Sequence, residues 1–274
     1  MIGALRALNR LRRRLGYSVS MEYLLAKYKI KKALRSRNGL PERCRVPDEI
    51  LFETNGSLGL GQWIFHDENW VRVTNRRKHR RIVAAGKPLD VVDNVQEQTE
   101  EVKFLEDGTI CFDGKAKTND EWIYMYLDPE KYPWHNYSWN FRIRRDTYFK
   151  EFQFGFRYQD FYNRYRYRFE NDHIYFDKVI KGRFWNYFGT APFHMDLGVW
   201  YDVRIDIYEN NFRCYVDGKL MLDDYDFDNN FPVGSIAVIL WEKDGATDIR
   251  AAVGPMSIRR LLDEHEGDSN TGGS

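Results

Sequence analysis

Cysteine is scarce in this chain, and what there is cannot be organised. Cys44, Cys111 and Cys214 are the three in 274 residues, far apart and without a CxxC or Cys/His cluster, which argues against a disulfide framework or a zinc knuckle. Long hydrophobic runs are absent as well. Nothing approaches the roughly 18 uninterrupted apolar residues of a membrane-spanning helix, so an integral helical membrane protein is excluded. The opening MIGALRALNRLRRRLGYS is interrupted by arginine every few positions, leaving no apolar core for a signal peptide and no small-residue cleavage site. The expectation is a cytoplasmic protein with reduced thiols. Metal and nucleophile motifs are missing too: His66, His79, His135, His173, His194 and His265 show no HExxH or HxH spacing, and no metal ligand set is expected. Gly56, Gly59 and Gly61 follow no parallel strand and open no helix, so they are not read as a phosphate loop.

Aromatic side chains are abundant, 18 Phe, 18 Tyr and 8 Trp, or 16% of the chain; half-buried β-strands favour such residues. Formal charge is only +1, but it is unevenly placed. Residues 1–45 hold thirteen Lys and Arg against Glu22 and Glu42, a local +11, so the remainder carries −10. A basic head on an acidic body points to a polyanionic surface.

Helical periodicity is confined to residues 1–38. Ala4, Leu8, Leu11 and Leu15 form one stripe and Met21, Leu24, Leu25 and Tyr28 another, with Arg10, Arg13, Arg14, Lys27, Lys31 and Lys32 as the basic residues a membrane surface would meet. Packing of the same stripes on the body or on a partner is the structural alternative. Nucleic acid is not favoured, because no helix-turn-helix register is present. Pro41 and Pro47 break the pattern and mark a linker. The organisation expected is a basic helical appendage and linker over 1–48, one β-domain over 49–262, and a polar Gly/Ser-rich tail over 263–274.

Within the β-domain, Phe152, Phe154 and Phe156 alternate with Glu151, Gln153 and Gly155, and Tyr165, Tyr167 and Phe169 with Arg164, Arg166 and Arg168. Period 2 places one set on the buried side of a sheet and the other on the opposite side. Tyr201, Val203, Ile205 and Ile207 alternate likewise, and Asp217-Gly218 makes a hairpin turn. Turn signals at short intervals with no helix between them predict a mainly β fold, an antiparallel sandwich.

The segments FGFRYQD (154–160), YNRY (162–165), WYDVRID (200–206), YVDGK (215–219) and GSI (234–236) resemble, in this order, the concanavalin A-like lectin/glucanase superfamily, most closely its laminin G-like jelly rolls. The resemblance covers about residues 130–260 and implies a jelly roll of a kind that serves lectins, glycosidases, lyases and spacers alike, so the site must decide. A glucanase of the usual pattern would carry alternating carboxylates on one strand. Arg204-Ile205-Asp206-Ile207-Tyr208-Glu209 has arginine at the first position and Glu209 out of phase. Tyr148-Phe149-Lys150 echoes an alginate lyase without that family's other elements. The resemblance also admits Ca²⁺ at a rim loop, for which Asp223, Asp224, Asp226 and Asp228 are the acidic candidates, but the run does not follow the EF-hand spacing and a solvated turn is the favoured reading.

The site expected is an arginine-aromatic face. If the alternating aromatics point inward, Arg142, Arg144, Arg157, Arg164, Arg166 and Arg168 point outward as neighbouring rungs and bind carboxylate or sulfate bidentately, while Trp185, Tyr187 or Trp241 stacks on sugar rings. The alternative is cross-strand pairing with Glu151, Glu170, Asp202 or Asp206. The functional expectation is therefore a non-catalytic module for an anionic glycan or polysaccharide, peripheral to the inner membrane surface and linked to polysaccharide assembly. The alternatives are a hydrolase or lyase using Glu151, Asp202 and Asp206, and a protein assembly module.

Overall fold

A computed structural model describes residues 29–30, 45–54, 63–68, 102–116 and 121–263. The basic residues assigned to a membrane surface, Arg10, Arg13, Arg14, Lys27, Lys31 and Lys32, lie outside them, as does the tail beyond Asp263.

The strands follow in chain order as β1 (Arg45–Glu53), β2 (Trp63–Glu68), β3 (Val102–Phe104), β4 (Ile110–Lys115), β5 (Glu121–Leu127), β6 (Tyr137–Arg145), β7 (Glu151–Asp160) and β8 (Asn163–Phe169). After them come β9 (His173–Ile180), β10 (Arg183–Pro192), β11 (Trp200–Tyr208), β12 (Asn211–Val216), β13 (Lys219–Tyr225), β14 (Ser235–Glu242), β15 (Asp248–Val253) and β16 (Ser257–Asp263). They form two antiparallel sheets. The 7-stranded sheet runs β10-β9-β8-β7-β14-β5-β2, and the 9-stranded sheet runs β13-β12-β11-β6-β15-β4-β3 with β16 bridging β6 and β1. The mainly β antiparallel sandwich expected from the alternation is what the chain adopts. Pro47, read as linker, lies in β1, which begins at Arg45 and, among the described residues, pairs only with β16. An edge position is where a residue without an N–H is tolerated.

The alternating aromatics face each other between the sheets. Phe141, Ile143, Phe152, Phe154, Phe156, Tyr165, Tyr167 and Phe169 are all buried in one core. Across the interface Phe141 of β6 meets Phe154 of β7 with centroids 4.5 Å apart, and Phe212 of β12 meets Tyr165 of β8 at 4.7 Å. Each such ring contributes about 1.5–3 kcal/mol by leaving water.

One irregularity decides which residues share a face. The β7–β14 pairing slips between Ser235 and Ile236, and the β7–β8 pairing slips between Phe156 and Asp160. Arg157 sits at this bulge with φ 42°. Gly234, φ 152°, backs it so closely that a Cβ there would lie 2.5 Å from the Arg157 carbonyl carbon. A bulge reverses the phase of the strand beyond it, so Arg157 turns inward and Tyr158 turns outward, the reverse of strict alternation.

Candidate functional site on the seven-stranded sheet

Side chains on the outer side of the seven-stranded sheet, away from the core, are set by its register. One rung runs Trp122, Trp241, Glu151 across β5, β14 and β7. The next includes Ile239, Gln153, Arg168 and Tyr175, and the third Ala237, Gly155, Arg166 and Asp177. On these rungs the polar residues close into a ring. Arg166 donates from Nε to Asp177 Oδ1 at 2.5 Å and from Nη2 to Oδ2 at 3.2 Å, and Arg168 Nε donates to the same Oδ2 at 2.7 Å. Arg168 Nη1 then donates to Glu151 Oε1 at 2.6 Å, Gln153 Nε2 to Glu151 Oε2 at 2.6 Å, and Arg166 Nη1 to Gln153 Oε1 at 2.7 Å. Every member has its orientation fixed by two neighbours, including the amide of Gln153.

The ring is desolvated. Asp177 is 0% exposed, Arg166 2% and Arg168 7%. Burial alone would lower the Arg168 pKa, but Asp177, Glu151 and Glu170 outweigh it and push it above the ordinary value, so the guanidinium is permanently charged. Aromatic rings enclose the guanidinium groups: Phe184 lies 4.9 Å from Arg166, Tyr175 4.9 Å from Arg168, and Phe161 4.5 Å from Arg164, each within cation–π range. At the rim Arg168 Nη1 is shared with Glu170 at 2.6 Å, and Glu170 is 20% exposed and also meets Lys150 at 3.5 Å. Beside the ring Trp241 stacks on Trp122 with centroids 5.4 Å apart and planes at 26°. Its indole Nε1 is buried with no hydrogen-bond partner among the described residues.

The structure divides the expected arginine-aromatic face. Arg164, Arg166, Arg168 and Trp241 share the outer side of the seven-stranded sheet, but the arginines are held in buried contacts instead of standing in an exposed row. Trp185 and Tyr187 lie on β10 of the same sheet, and their side chains are outside the described residues. Arg142 and Arg144 are not neighbouring rungs: β6 belongs to the other sheet, where they pair with Asp202 at 3.2 Å and Asp146 at 2.8 Å. Arg157 is on neither outer face. The bulge sends its guanidinium to the carbonyls of His135 and Phe231 at 3.1 and 3.2 Å and over the Phe212 ring, where burial pulls its pKa down. Glu151, Asp202 and Asp206, grouped as a carboxylate site, are not brought together, since Glu151 is on β7 and the two aspartates are on β11 of the opposite sheet.

The acidic run has structural partners. Asp226 receives Lys178 Nζ at 2.7 Å and the Tyr165 hydroxyl at 2.5 Å. Burial would raise the Asp226 carboxyl, but Lys178 and these hydrogen bonds hold it below its ordinary value. Asp223 meets Arg213 at 3.5 Å. Among the described residues no group of three His, Cys, Asp or Glu is placed to hold a metal.

The residues that sequence reasoning missed are Asp177, Gln153, Trp122, Tyr175 and Phe184. Tyr175-Phe176-Asp177 carried a signal, a carboxylate in period-2 phase opposite the arginines of the preceding strand.

No protein-family model and no curated protein matches the chain. Solved structures do. A Bacillus subtilis protein of unknown function with a galectin-like fold aligns with TM-score 0.54 and 6% identity over 81% of this chain and 100% of that one. The exoplasmic/lumenal domain of VIP36, in its Ca²⁺/Man3GlcNAc-bound form, aligns with TM-score 0.52 and 7% identity over 81% and 95%. The catalytic domain of an endo-1,3-β-glucanase (laminarinase) from Thermotoga petrophila aligns with TM-score 0.50 and 13% identity over 80% and 100%. The chain thus has the concanavalin A-like jelly-roll fold, shared by lectins and glucanases, and at these identities the likeness extends to the fold alone.

Proposed function

We propose that this protein is a non-catalytic carbohydrate-binding module whose ligand lies on the outer face of the seven-stranded sheet. The closed ring of Arg166, Asp177, Arg168, Glu151 and Gln153 carries the reading. A desolvated ion network adds little net stability compared with apolar packing, whereas it fixes the orientation of Arg168, the member that reaches the rim at Glu170, and such preorganisation is what recognition of a carboxylate requires. The Trp122–Trp241 pair beside it supplies a ring surface for stacking. An anionic glycan is supported at the rim alone, where the Arg168 guanidinium is shared with Glu170. Its carboxylate or sulfate would exchange with Glu170, the rim carboxylate at 20% exposure, for the Nη1 of Arg168. The laminin G-like order of motifs from Phe154 to Ile236 agrees with a binding role.

A glycan array with the full chain at low and physiological salt, with Ca²⁺ and with chelator, tests this. Salt-sensitive binding to uronic-acid or sulfated glycans supports the reading, and silence on every glycan removes it. Residues 1–38 are proposed as a tether to an anionic membrane surface, where lipid-linked polysaccharides are assembled. Cosedimentation with anionic but not neutral vesicles, reduced when Arg10, Arg13, Arg14, Lys27, Lys31 and Lys32 become Gln, supports the tether; equal pelleting of the variant removes it.

A further inference from the structure

We propose that the nine-stranded sheet carries, on its own outer face, a second binding groove for an uncharged, hydroxyl-rich saccharide segment. The inference takes its ligand class from the carbohydrate-binding reading but not its location, which lies on the opposite side of the sandwich. The groove has a volume of about 490 Å³ and is lined by Glu53, Asn140, Arg142, Asp202, Arg204 and Tyr215 among others. Its floor is one rung across three strands, because Arg204 of β11 pairs in register with Asn140 of β6 and with Tyr215 of β12.

The groups on this rung are planar and held. The Arg204 guanidinium lies 3.9 Å from the Tyr215 ring centroid, and its Nε is 3.4 Å from Asp206 Oδ1. Asp206 Oδ1 also accepts from Ser138 Oγ at 2.8 Å, which accepts in turn from Asn140 Nδ2 at 3.2 Å. On the next rung Arg142 Nε meets Asp202 at 3.2 Å, and Arg142 and Arg144 both lie over the Trp200 ring, at 5.1 and 4.9 Å. Side chains remain accessible here, in contrast to the ring on the other sheet: Arg142 is 54% exposed, Asp202 73% and Arg204 43%.

Charge selects the ligand class. Each guanidinium in the groove already faces a carboxylate, and Glu53 adds a further acidic group. A uronate or sulfate entering would compete with Asp202 or Asp206 and meet their repulsion. Sugar hydroxyls donate to a carboxylate and accept from a guanidinium at once, so an Arg–Asp pair matches them without giving up its own contact. The Tyr215 and Trp200 rings carry these guanidinium groups, Tyr215 that of Arg204 and Trp200 those of Arg142 and Arg144, and hold them in place for the ligand.

Calorimetric titration of the full chain with uncharged gluco-, manno- and galacto-configured oligosaccharides, and with their uronate counterparts, tests the inference. Tyr215→Ala, Arg204→Ala and Arg142→Ala are each expected to weaken uncharged oligosaccharide binding by about tenfold or more, the usual loss for a central anchor, while Lys131→Ala, at an exposed side chain outside the groove, leaves it unchanged and Trp241→Ala is measured beside them. Raising the salt leaves this binding unchanged as well. Arg142→Ala serves as the control for folding, since its exposed side chain bears little on stability. Loss in Trp241→Ala but not in the three groove variants refutes the groove and leaves the module intact. Preference for uronates that depends on the groove residues refutes the ligand class. Absence of binding to any oligosaccharide refutes both the groove and the carbohydrate reading.

Discussion

Replacing Asp177 by Asn removes the charge on which two buried arginines converge, with little change of shape. Asp177 accepts from Arg166 Nε and Nη2 and from Arg168 Nε, at 2.5, 3.2 and 2.7 Å, and is 0% exposed. The asparagine oxygen can accept, but its amide group would point N–H toward guanidinium N–H, and two cations would remain in a desolvated site. Breaking a buried pair in this way costs about 3–5 kcal/mol. For a domain of this size each kcal/mol is worth about 2–4 °C, so Tm should fall by roughly 6–20 °C. Arg142→Ala is the internal standard. It removes a pair whose side chains are 54% and 73% exposed, and such pairs contribute about 0–1 kcal/mol. Urea unfolding followed by tryptophan emission gives both values from the midpoint at constant slope. An Asp177→Asn loss no larger than that of Arg142→Ala would show that water reaches the ring and would refute its description as a preorganised network.

Acid should act on the end of the sandwich through Asp226. Its folded carboxyl lies below its ordinary 3.8, so the Lys178 pair stabilises the protein above that value and the contribution is lost as pH falls through the lower folded value. Asp226→Asn should flatten the acid limb of stability against pH, and an unchanged limb would assign acid sensitivity elsewhere. Gly234→Ala places a Cβ 2.5 Å from the Arg157 carbonyl carbon and should lower Tm clearly; a neutral outcome would mean that the bulge yields. Phe154→Ala, at a wholly buried ring, should cost about 3–5 kcal/mol in urea unfolding, and a cost below about 1 kcal/mol would contradict the packing described. Because Lys178 occupies Asp226 and Arg213 meets Asp223, chelator should leave Tm unchanged, and a fall would restore a calcium site in this loop.

Much of the fold was legible because period 2 is imposed by the strand itself. Phe152, Phe154 and Phe156, and then Tyr165, Tyr167 and Phe169, had to share a side with one another, and they form the core. The candidate site was legible in part for the same reason: three arginines in phase on β8 had to share the other side. The sheet to which each strand belongs is not encoded locally. β6 and β7 are consecutive, yet they lie in different sheets, so Arg142 and Arg144 are separated from Arg166 and Arg168 although the pattern continues between them. The bulge at Arg157 is a second such case, since its phase change depends on Gly234, distant in sequence and close in space. Burial of Arg166 and Arg168 depends on Asp177 and Glu151, which arrive from two flanking strands. Exposure inferred from alternation alone assumed an open face, whereas rings and carboxylates from neighbouring strands close it.

The most direct measurement for the central claim is quantitative glycan binding by the wild-type chain and by Trp241→Ala and Glu170→Gln side by side, at low and physiological salt. The account predicts that wild-type binding to an anionic glycan weakens with salt, falls about tenfold or more in Trp241→Ala as a stacking anchor is lost, and strengthens in Glu170→Gln as the competing rim carboxylate is neutralised. Anionic glycan binding untouched by both substitutions would place the ligand elsewhere and contradict the assignment of function to this face.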